Sequence, residues 1–301
     1  MPRLIAPGSG TAFDIDALVD ALDAHPFDTR DEDSFADAGP LLARLGRNPH
    51  FLADLAIAEL KDRCAGQVAT NGYSAQVVLL RPPSARYVLR ANFWPAATDD
   101  AVRSSGAEAF FYGDAHDHNF PFLTYGYLGP GYWSDYYERD PAAILGLPGE
   151  RAHLRFVERA RLEPGRLMLY RQRLDVHRQL PPEAFSVSLN ILGHDPAQPW
   201  IDQYRFDIDT DTVVGGLTVA PSEALLALAV QFGNGIDVVE TLARRHPFAR
   251  MRTTALDALL GAGQGHALAE EAVADSDRLV AAHARRRLAA IEATGSDAIA
   301  A

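Results

Sequence analysis

The sequence of 301 residues is poor in cysteine and has no long apolar run. The one cysteine, Cys64, excludes an internal disulfide and a cysteine-rich zinc site, so any metal must be held by histidine or carboxylate. No stretch reaches the roughly 18 apolar residues of a membrane span, and the N-terminus has no signal-peptide core. We therefore expect a soluble, cytoplasmic protein without a membrane partner.

The sequence also lacks an excess of basic charge. It has 28 Lys and Arg against 40 Asp and Glu, for a net charge of -12. Binding to a phosphate backbone relies on Lys and Arg to displace counterions. The short run Arg285-Arg286-Arg287 is typical of a solvated helix face. We predict no nucleic-acid partner.

Three regions with different hydrophobic periods are present. Residues 1–70 carry apolar residues at helical steps, residues 71–220 consist of short strand-like segments between Pro, Gly or Asp turns, and residues 221–301 are Ala- and Leu-rich and helical. The pattern predicts an α+β protein with a central antiparallel barrel or sandwich. The C-terminal helices either cover this β region or contact a protein partner.

Histidines in the β region have the spacing of metal ligands. His116 and His118 are two residues apart, so on a strand both imidazoles project from one face. An aromatic strand follows and ends at the Gly129-Pro130-Gly131 turn. Further on, a Pro164-Gly165 turn leads through a strand to His177.

Together these stretches resemble the two motifs of the cupin superfamily, a His-x-His motif and a Pro-Gly turn leading to a lone histidine. The resemblance covers part of the β region and none of the flanking helices. It implies a cupin β-barrel that holds one divalent metal through His116, His118 and His177, with Gly129 as the closing glycine of the first motif.

The chain departs from the motif at Phe122, which stands where the family usually has a glutamate. The site is then either a three-histidine site, similar to that of thiol dioxygenases, or it recruits another carboxylate. If the chain forms a hairpin about Pro130, Glu138 lies opposite Phe122 on the same face. Glu138 could therefore supply the fourth ligand, or it could support the site from just outside the ligands. Asp117, between the paired histidines, should point away.

A nitrogen-rich site without thiolate suits Fe(II), our first choice, with Mn, Ni or Zn as alternatives. Three protein ligands leave positions for a bidentate substrate and dioxygen, which favours a cofactor-independent dioxygenase acting on a small polar or amino-acid-like molecule. The alternatives are a metal-dependent isomerase, hydrolase or lyase, and a non-catalytic ligand-binding cupin whose helices contact a protein. A homodimer would fit exposed strand edges.

Charged and aromatic residues near the metal strands complete the expected site. A tyrosine could act as an acid or hydrogen-bond donor, and an arginine within an apolar strand could hold a substrate carboxylate. The catalytic candidates are Tyr125 and Arg173. The substrate-binding candidates are Arg90, Arg171, Trp133 and Tyr127.

Overall fold

The computed structural model describes residues 1–74 and 76–297, with side chains described as far as residue 293. The chain forms two antiparallel sheets and flanking helices, which confirms the predicted α+β class. The strands are β1 Arg3–Ile5, β2 Val77–Leu79, β3 Tyr87–Trp94, β4 Ala115–His116, β5 Phe122–Leu128, β6 Trp133–Glu138, β7 Arg155–Arg161, β8 Leu167–Tyr170, β9 Asp175–Leu180, β10 Ser186–Gly193, β11 Tyr204–Asp207 and β12 Thr212–Gly216.

The helices lie mostly before and after the strands, as their sequence periods indicate. They are α1 Ile15–Ala24, α2 Glu32–Ala36, α3 Gly39–Gly46, α4 Phe51–Lys61, α5 Ala65–Thr70, α6 Asp100–Ser105, α7 Pro221–Phe232, α8 Ile236–Arg245, α9 Ala249–Gly261, α10 His266–Ala272 and α11 Arg278–Asp297. Asp14 caps α1 by accepting a hydrogen bond from the Ala17 amide at 2.7 Å, which satisfies a free amide of the first turn. No helix in the described part of the chain is both long and apolar enough to cross a bilayer.

The chain divides into two compact units. The first contains Met1–Pro141, His153–Gln198 and Arg205–Asp211, and therefore includes both the N-terminal helices and most strands. The second contains Ala142–Ala152, Pro199–Tyr204 and the described residues from Thr212 onward. Helices α7 to α11 of the second unit pack around their own apolar cluster, which includes Leu226, Val230, Leu256 and Leu259.

Within the first unit, one sheet has the strand order β1-β8-β5-β10-β3-β2, and the other contains the run β11-β4-β9-β6-β7. The first sheet turns one face to helices α1 to α4, where Leu89, Leu123 and Leu189 join their apolar residues. Its other face shares a second cluster with the second sheet, in which Phe122 and Tyr170 meet Tyr136. This inner cluster surrounds the histidines.

Candidate metal centre

Two adjacent strands of the second sheet position the three histidines. His116 lies on β4 and is the register partner of His177 on β9, while His118 follows two residues after His116. All three are buried, with an exposed fraction of 4% for His116, 9% for His118 and 1% for His177. The sequence prediction that these residues come together is therefore met by the backbone pairing of β4 with β9.

The imidazole nitrogens have the spacing that one ion requires. Nε2 of His177 is 3.0 Å from Nε2 of His118 and 3.3 Å from Nε2 of His116. An ion about 2.0–2.1 Å from each nitrogen, with ligand angles of about 90–109°, needs nitrogens about 2.9–3.4 Å apart. The three histidines thus form a group that could hold a metal ion, and no carboxylate or thiol joins them within the described ranges.

The outer nitrogens of two histidines fix the orientation of their rings. Nδ1 of His116 donates to the backbone oxygen of Asp114 at 3.0 Å. Nδ1 of His177 lies 3.2 Å from the Tyr170 hydroxyl, which itself donates to the Tyr136 hydroxyl at 3.1 Å. Because the Tyr170 hydroxyl donates to Tyr136, it can accept the Nδ1 proton of His177. Nε2 of His177 is then unprotonated, with its lone pair on the side of the other two histidines. Such outer partners are typical of metal-bound histidines.

The surroundings keep the imidazoles neutral. Burial lowers the pKa of His116, and lowers the pKa of His118 and His177 well below the usual value. The charge that His116 would carry lowers the pKa of the other two further. A neutral imidazole is the form that can ligate a metal ion, so the lowered pKa values keep the three histidines in that form.

An aromatic wall closes one side of the histidine group. Phe122 stacks on Tyr170 with ring centroids 4.3 Å apart and meets the His118 ring edge-on at 4.8 Å. Phe122 therefore faces the site, at the place expected for the family's glutamate, but offers no ligand atom. Tyr170 is not among the residues predicted from the sequence, although it ends the strand before His177.

Gln179 is a second residue that the sequence analysis missed. It is 5% exposed, and its Nε2 lies 3.1 Å from Nε2 of His177. In the described part of the chain, its Oε1 has no hydrogen-bond partner. The period of two along β9 could have found it, because side chains two residues apart on a strand share a face.

Arg90 is a predicted substrate-binding residue that acts electrostatically on the histidine group. It is buried on β3, on the face that Val88 and Trp94 present to the inner cluster. Among the described residues, its Nε has no hydrogen-bond partner. Its charge contributes to the lowered pKa of His118, after burial and the other two histidines. Oδ1 of Asn92, on the same strand, also has no partner in residues 1–74 and 76–297.

The predicted pairing of Glu138 with Phe122 is wrong. Strand β6 pairs with β9 and β7 of the second sheet, whereas Phe122 lies in the first sheet, so the chain crosses between sheets at the Gly129–Gly131 turn instead of forming a hairpin. Glu138 lies opposite Asp175 and accepts hydrogen bonds from the Met1 amino group at 2.6 Å and from Arg171 at 2.9 Å. It does not join the histidine group.

The predictions for two tyrosines of β5 are also corrected. Alternation along this strand directs Phe122 inward and Tyr125 and Tyr127 outward, toward the helices. The Tyr125 ring packs so closely on Gly46 that no Cβ would fit there. The Tyr127 hydroxyl donates to the Asn48 backbone oxygen at 2.9 Å. Neither tyrosine reaches the histidines.

Three further candidates lie in other surroundings. Trp133 donates from Nε1 to Glu183 at 3.1 Å. Arg171 forms an ion pair with Asp175 and Glu138. Arg173 adopts a φ of 60°, and its backbone amide donates to the His118 oxygen at 2.8 Å, so it contacts the histidine group through its main chain.

Asp117, between the paired histidines, is fully buried. Its Oδ2 accepts a hydrogen bond from Nε of Arg139 at 3.1 Å. The carboxylate is thus engaged by a guanidinium and is not part of the histidine group.

Comparisons with known proteins found no matching family model and no matching curated protein. Similar solved structures include a hydroquinone 1,2-dioxygenase from Sphingomonas sp. with 4-hydroxybenzoate bound (11% identity, 42% of this chain and 71% of that chain, TM-score 0.29). Others are a salicylate 1,2-dioxygenase from Pseudaminobacter salicylatoxidans (14%, 47% and 32%, TM-score 0.26) and a cupin domain from Bordetella pertussis (11%, 40% and 95%, TM-score 0.24). These TM-scores are too low to support a shared activity.

Proposed function

We propose that this chain is a cupin-type metalloenzyme, whose two sheets form the barrel, and that it acts as a mononuclear non-heme iron dioxygenase on a small carboxylate-bearing molecule. The convergence of three buried imidazoles carries the proposal: Nε2 of His177 lies 3.0 Å and 3.3 Å from the Nε2 atoms of His118 and His116, and all three ligand atoms lie within 4.8 Å of one another. His116, His118 and His177 would hold the ion. Fe(II) is the first choice, with Mn, Ni and Zn as alternatives, since ligand type alone does not select among them.

A bound Fe(II) ion would supply open coordination positions for substrate and dioxygen. The chain's own residues then do three things. Tyr170 holds the His177 ring through Nδ1, and its stack with Phe122 excludes water from that side. Arg90 provides a buried cation with an unpaired Nε, within the described residues, for an incoming anion.

Charge balance supports an anionic substrate. The three ligands are neutral, so a divalent ion would keep its full charge. Arg90 adds a buried positive charge, while the buried carboxylate of Asp117 is already engaged by Arg139. Uncompensated buried charge is costly. A carboxylate that binds the ion or Arg90, as in an amino-acid-like molecule, would neutralise this excess.

Metal loading is the first test. After anaerobic reconstitution with Fe(II), we expect about one equivalent of iron by elemental analysis, because a preformed site binds without folding cost. A His116→Ala/His177→Ala variant, folded by circular dichroism, should bind none. Less than about 0.2 equivalents in the unmodified protein would overturn the metalloenzyme.

Dioxygen uptake is the second test. We expect the iron-loaded protein to consume dioxygen only when a carboxylate from a panel of amino, hydroxy and thiol acids is present. Arg90→Gln should raise KM, whereas Arg171→Gln, a control arginine in an ion pair, should not. Turnover without dioxygen uptake would instead support the isomerase, hydrolase or lyase alternative. Binding without turnover would support a non-catalytic cupin.

A further inference from the structure

Gln179 has an unusual hydrogen-bond arrangement for a buried amide. Its Nε2 faces Nε2 of His177 at 3.1 Å, and its Oε1 has no partner among the described residues. The backbone at this position is fixed, because the Gln179 oxygen accepts a hydrogen bond from the Gly113 amide at 2.9 Å and the residue bridges to Tyr112. A buried acceptor without a donor costs free energy, so this arrangement leaves the Gln179 amide incompletely satisfied.

The Gln179 contact with His177 competes with metal binding. The Gln179 amide nitrogen, a hydrogen-bond donor, lies 3.1 Å from Nε2 of His177, the atom that would bind a metal. Ion binding therefore removes this hydrogen bond. Rotation of the terminal amide by half a turn exchanges its oxygen and nitrogen with little change in shape.

After this rotation, Oε1 would occupy the position now held by Nε2. That position is 3.1 Å from Nε2 of His177, between the 3.0 Å and 3.3 Å that separate this nitrogen from those of His118 and His116. The amide oxygen would thus be spaced from His177 as the other two ligand atoms are.

We propose that Gln179 is the fourth protein donor of the metal centre and binds the ion through Oε1. This inference rests on the proposed metal site and deepens it. Phe122 cannot supply a ligand from β5, and Gln179 supplies a neutral one from β9. Because an amide does not reduce the charge of a divalent ion, the centre keeps a strong affinity for an anionic ligand.

Co(II) is a suitable probe, because its visible absorption reports coordination directly. The experiment compares unmodified protein with Gln179→Leu and Gln179→Glu, by competition against a chelator and by the Co(II) spectrum. We expect Gln179→Leu to lower Co(II) affinity by about 10–100-fold or more, the range seen for residues that support metal ligands, and to change the spectrum. The Gln179→Glu variant should bind Co(II) more tightly than the unmodified protein. Once loaded with Co(II), it should bind azide, an anionic probe of the ion, more weakly than the loaded unmodified protein does.

Gln76→Leu is the matched control, since Gln76 is also a glutamine of 5% exposure but lies directly before β2 of the other sheet. It should leave Co(II) affinity and spectrum unchanged. If Gln179→Leu matches the unmodified protein in both readouts, Gln179 is not a donor, although the metal site stands. If the unmodified protein binds no Co(II), the metal site and this inference both fall.

Discussion

Two buried polar residues, Asp175 and His177, lie two positions apart on the same face of β9. Their polar atoms find different kinds of partner. Asp175 belongs to an ion-pair cluster with Glu138 and Arg171, in which guanidinium and carboxylates meet directly. His177 belongs to the histidine group, in which nitrogen atoms face one another at 3.0–3.3 Å. The charged groups of the first cluster satisfy one another, whereas the nitrogens of the second form a group that could hold a metal ion.

The two clusters also differ in whether their buried polar atoms have hydrogen-bond partners. Arg171 donates to Asp175 from its main chain and from its side chain, so the carboxylate has several donors in place. In the histidine group, Oε1 of Gln179 and Nδ1 of His118 lack partners in the described part of the chain. Buried polar atoms without partners are rare in native proteins and point to a missing ion, water or ligand.

The largest expected effect is on metal affinity. His177→Ala should lower Fe(II) or Co(II) affinity by more than about 100-fold, because residues that merely support ligands already account for 10–100-fold. Chelator competition measures it. Glu138→Gln, in the ion-pair cluster, should leave metal affinity unchanged, since the Glu138 carboxylate is engaged by Arg171 and the Met1 amino group. Equal losses in both variants would contradict the comparison.

Asp175→Asn should show the opposite pattern. It should lower the free energy of unfolding and leave metal affinity unchanged. The carboxylate of Asp175 is buried and accepts hydrogen bonds from Arg171 at 2.7 Å and 2.6 Å. Loss of such a charged partner should lower the free energy of unfolding by about 1–3 kcal/mol. Urea unfolding of the metal-free protein measures this. Chelator competition on the same variant should return the unmodified affinity.

Part of the site can be predicted from the sequence because side chains on a strand return to the same face every two residues. His116 and His118 could be recognised because a spacing of two places them on one face, and Gln179 stands at the same spacing from His177. Whether a face points inward depends on the partners of the strand. This is why Phe122 lies at the site while Tyr125, three residues on, lies against the helices.

Pairing between distant strands could not be predicted from the sequence. The Gly-Pro-Gly turn before β6 is compatible with a hairpin, but a turn in sequence does not fix the sheet to which the next strand belongs. Gly129 and Gly131 have φ values of 75° and 83°, and each lies against a backbone oxygen at a distance that excludes a Cβ. Glu138 is consequently paired with Asp175, not with Phe122.

Tyr170→Phe tests the outer partner of His177. Removal of the hydroxyl leaves Nδ1 without its acceptor at 3.2 Å but keeps the stack on Phe122. We expect a loss of about 10-fold in metal affinity, at the lower end of the range for outer partners. Tyr127→Phe is the control, since its hydroxyl bonds the Asn48 oxygen on the helix side. Equal affinity in both variants would show that Tyr170 only fills space.

The smallest expected effect is on the pH dependence of the free energy of unfolding. The histidine group and the ion-pair cluster should contribute to it in different pH ranges. Burial lowers the pKa of His116, His118 and His177, so between the ordinary value of about 6.5 and their folded values the unfolded chain binds protons that the folded chain does not. Stability of the metal-free protein should therefore decline as pH falls below about 6.5.

Glu138 should act in a lower window. The Met1 amino group, and then Arg171, hold its pKa at about 2, so its contribution is present above the usual value of 4.5 and is lost as pH falls toward 2. Urea unfolding between pH 7.5 and 3 checks both. We expect His177→Leu to flatten the curve above pH 5, and Glu138→Gln to flatten it below. If His177→Leu keeps the full slope above pH 5, the histidines are not the groups that distinguish the two clusters.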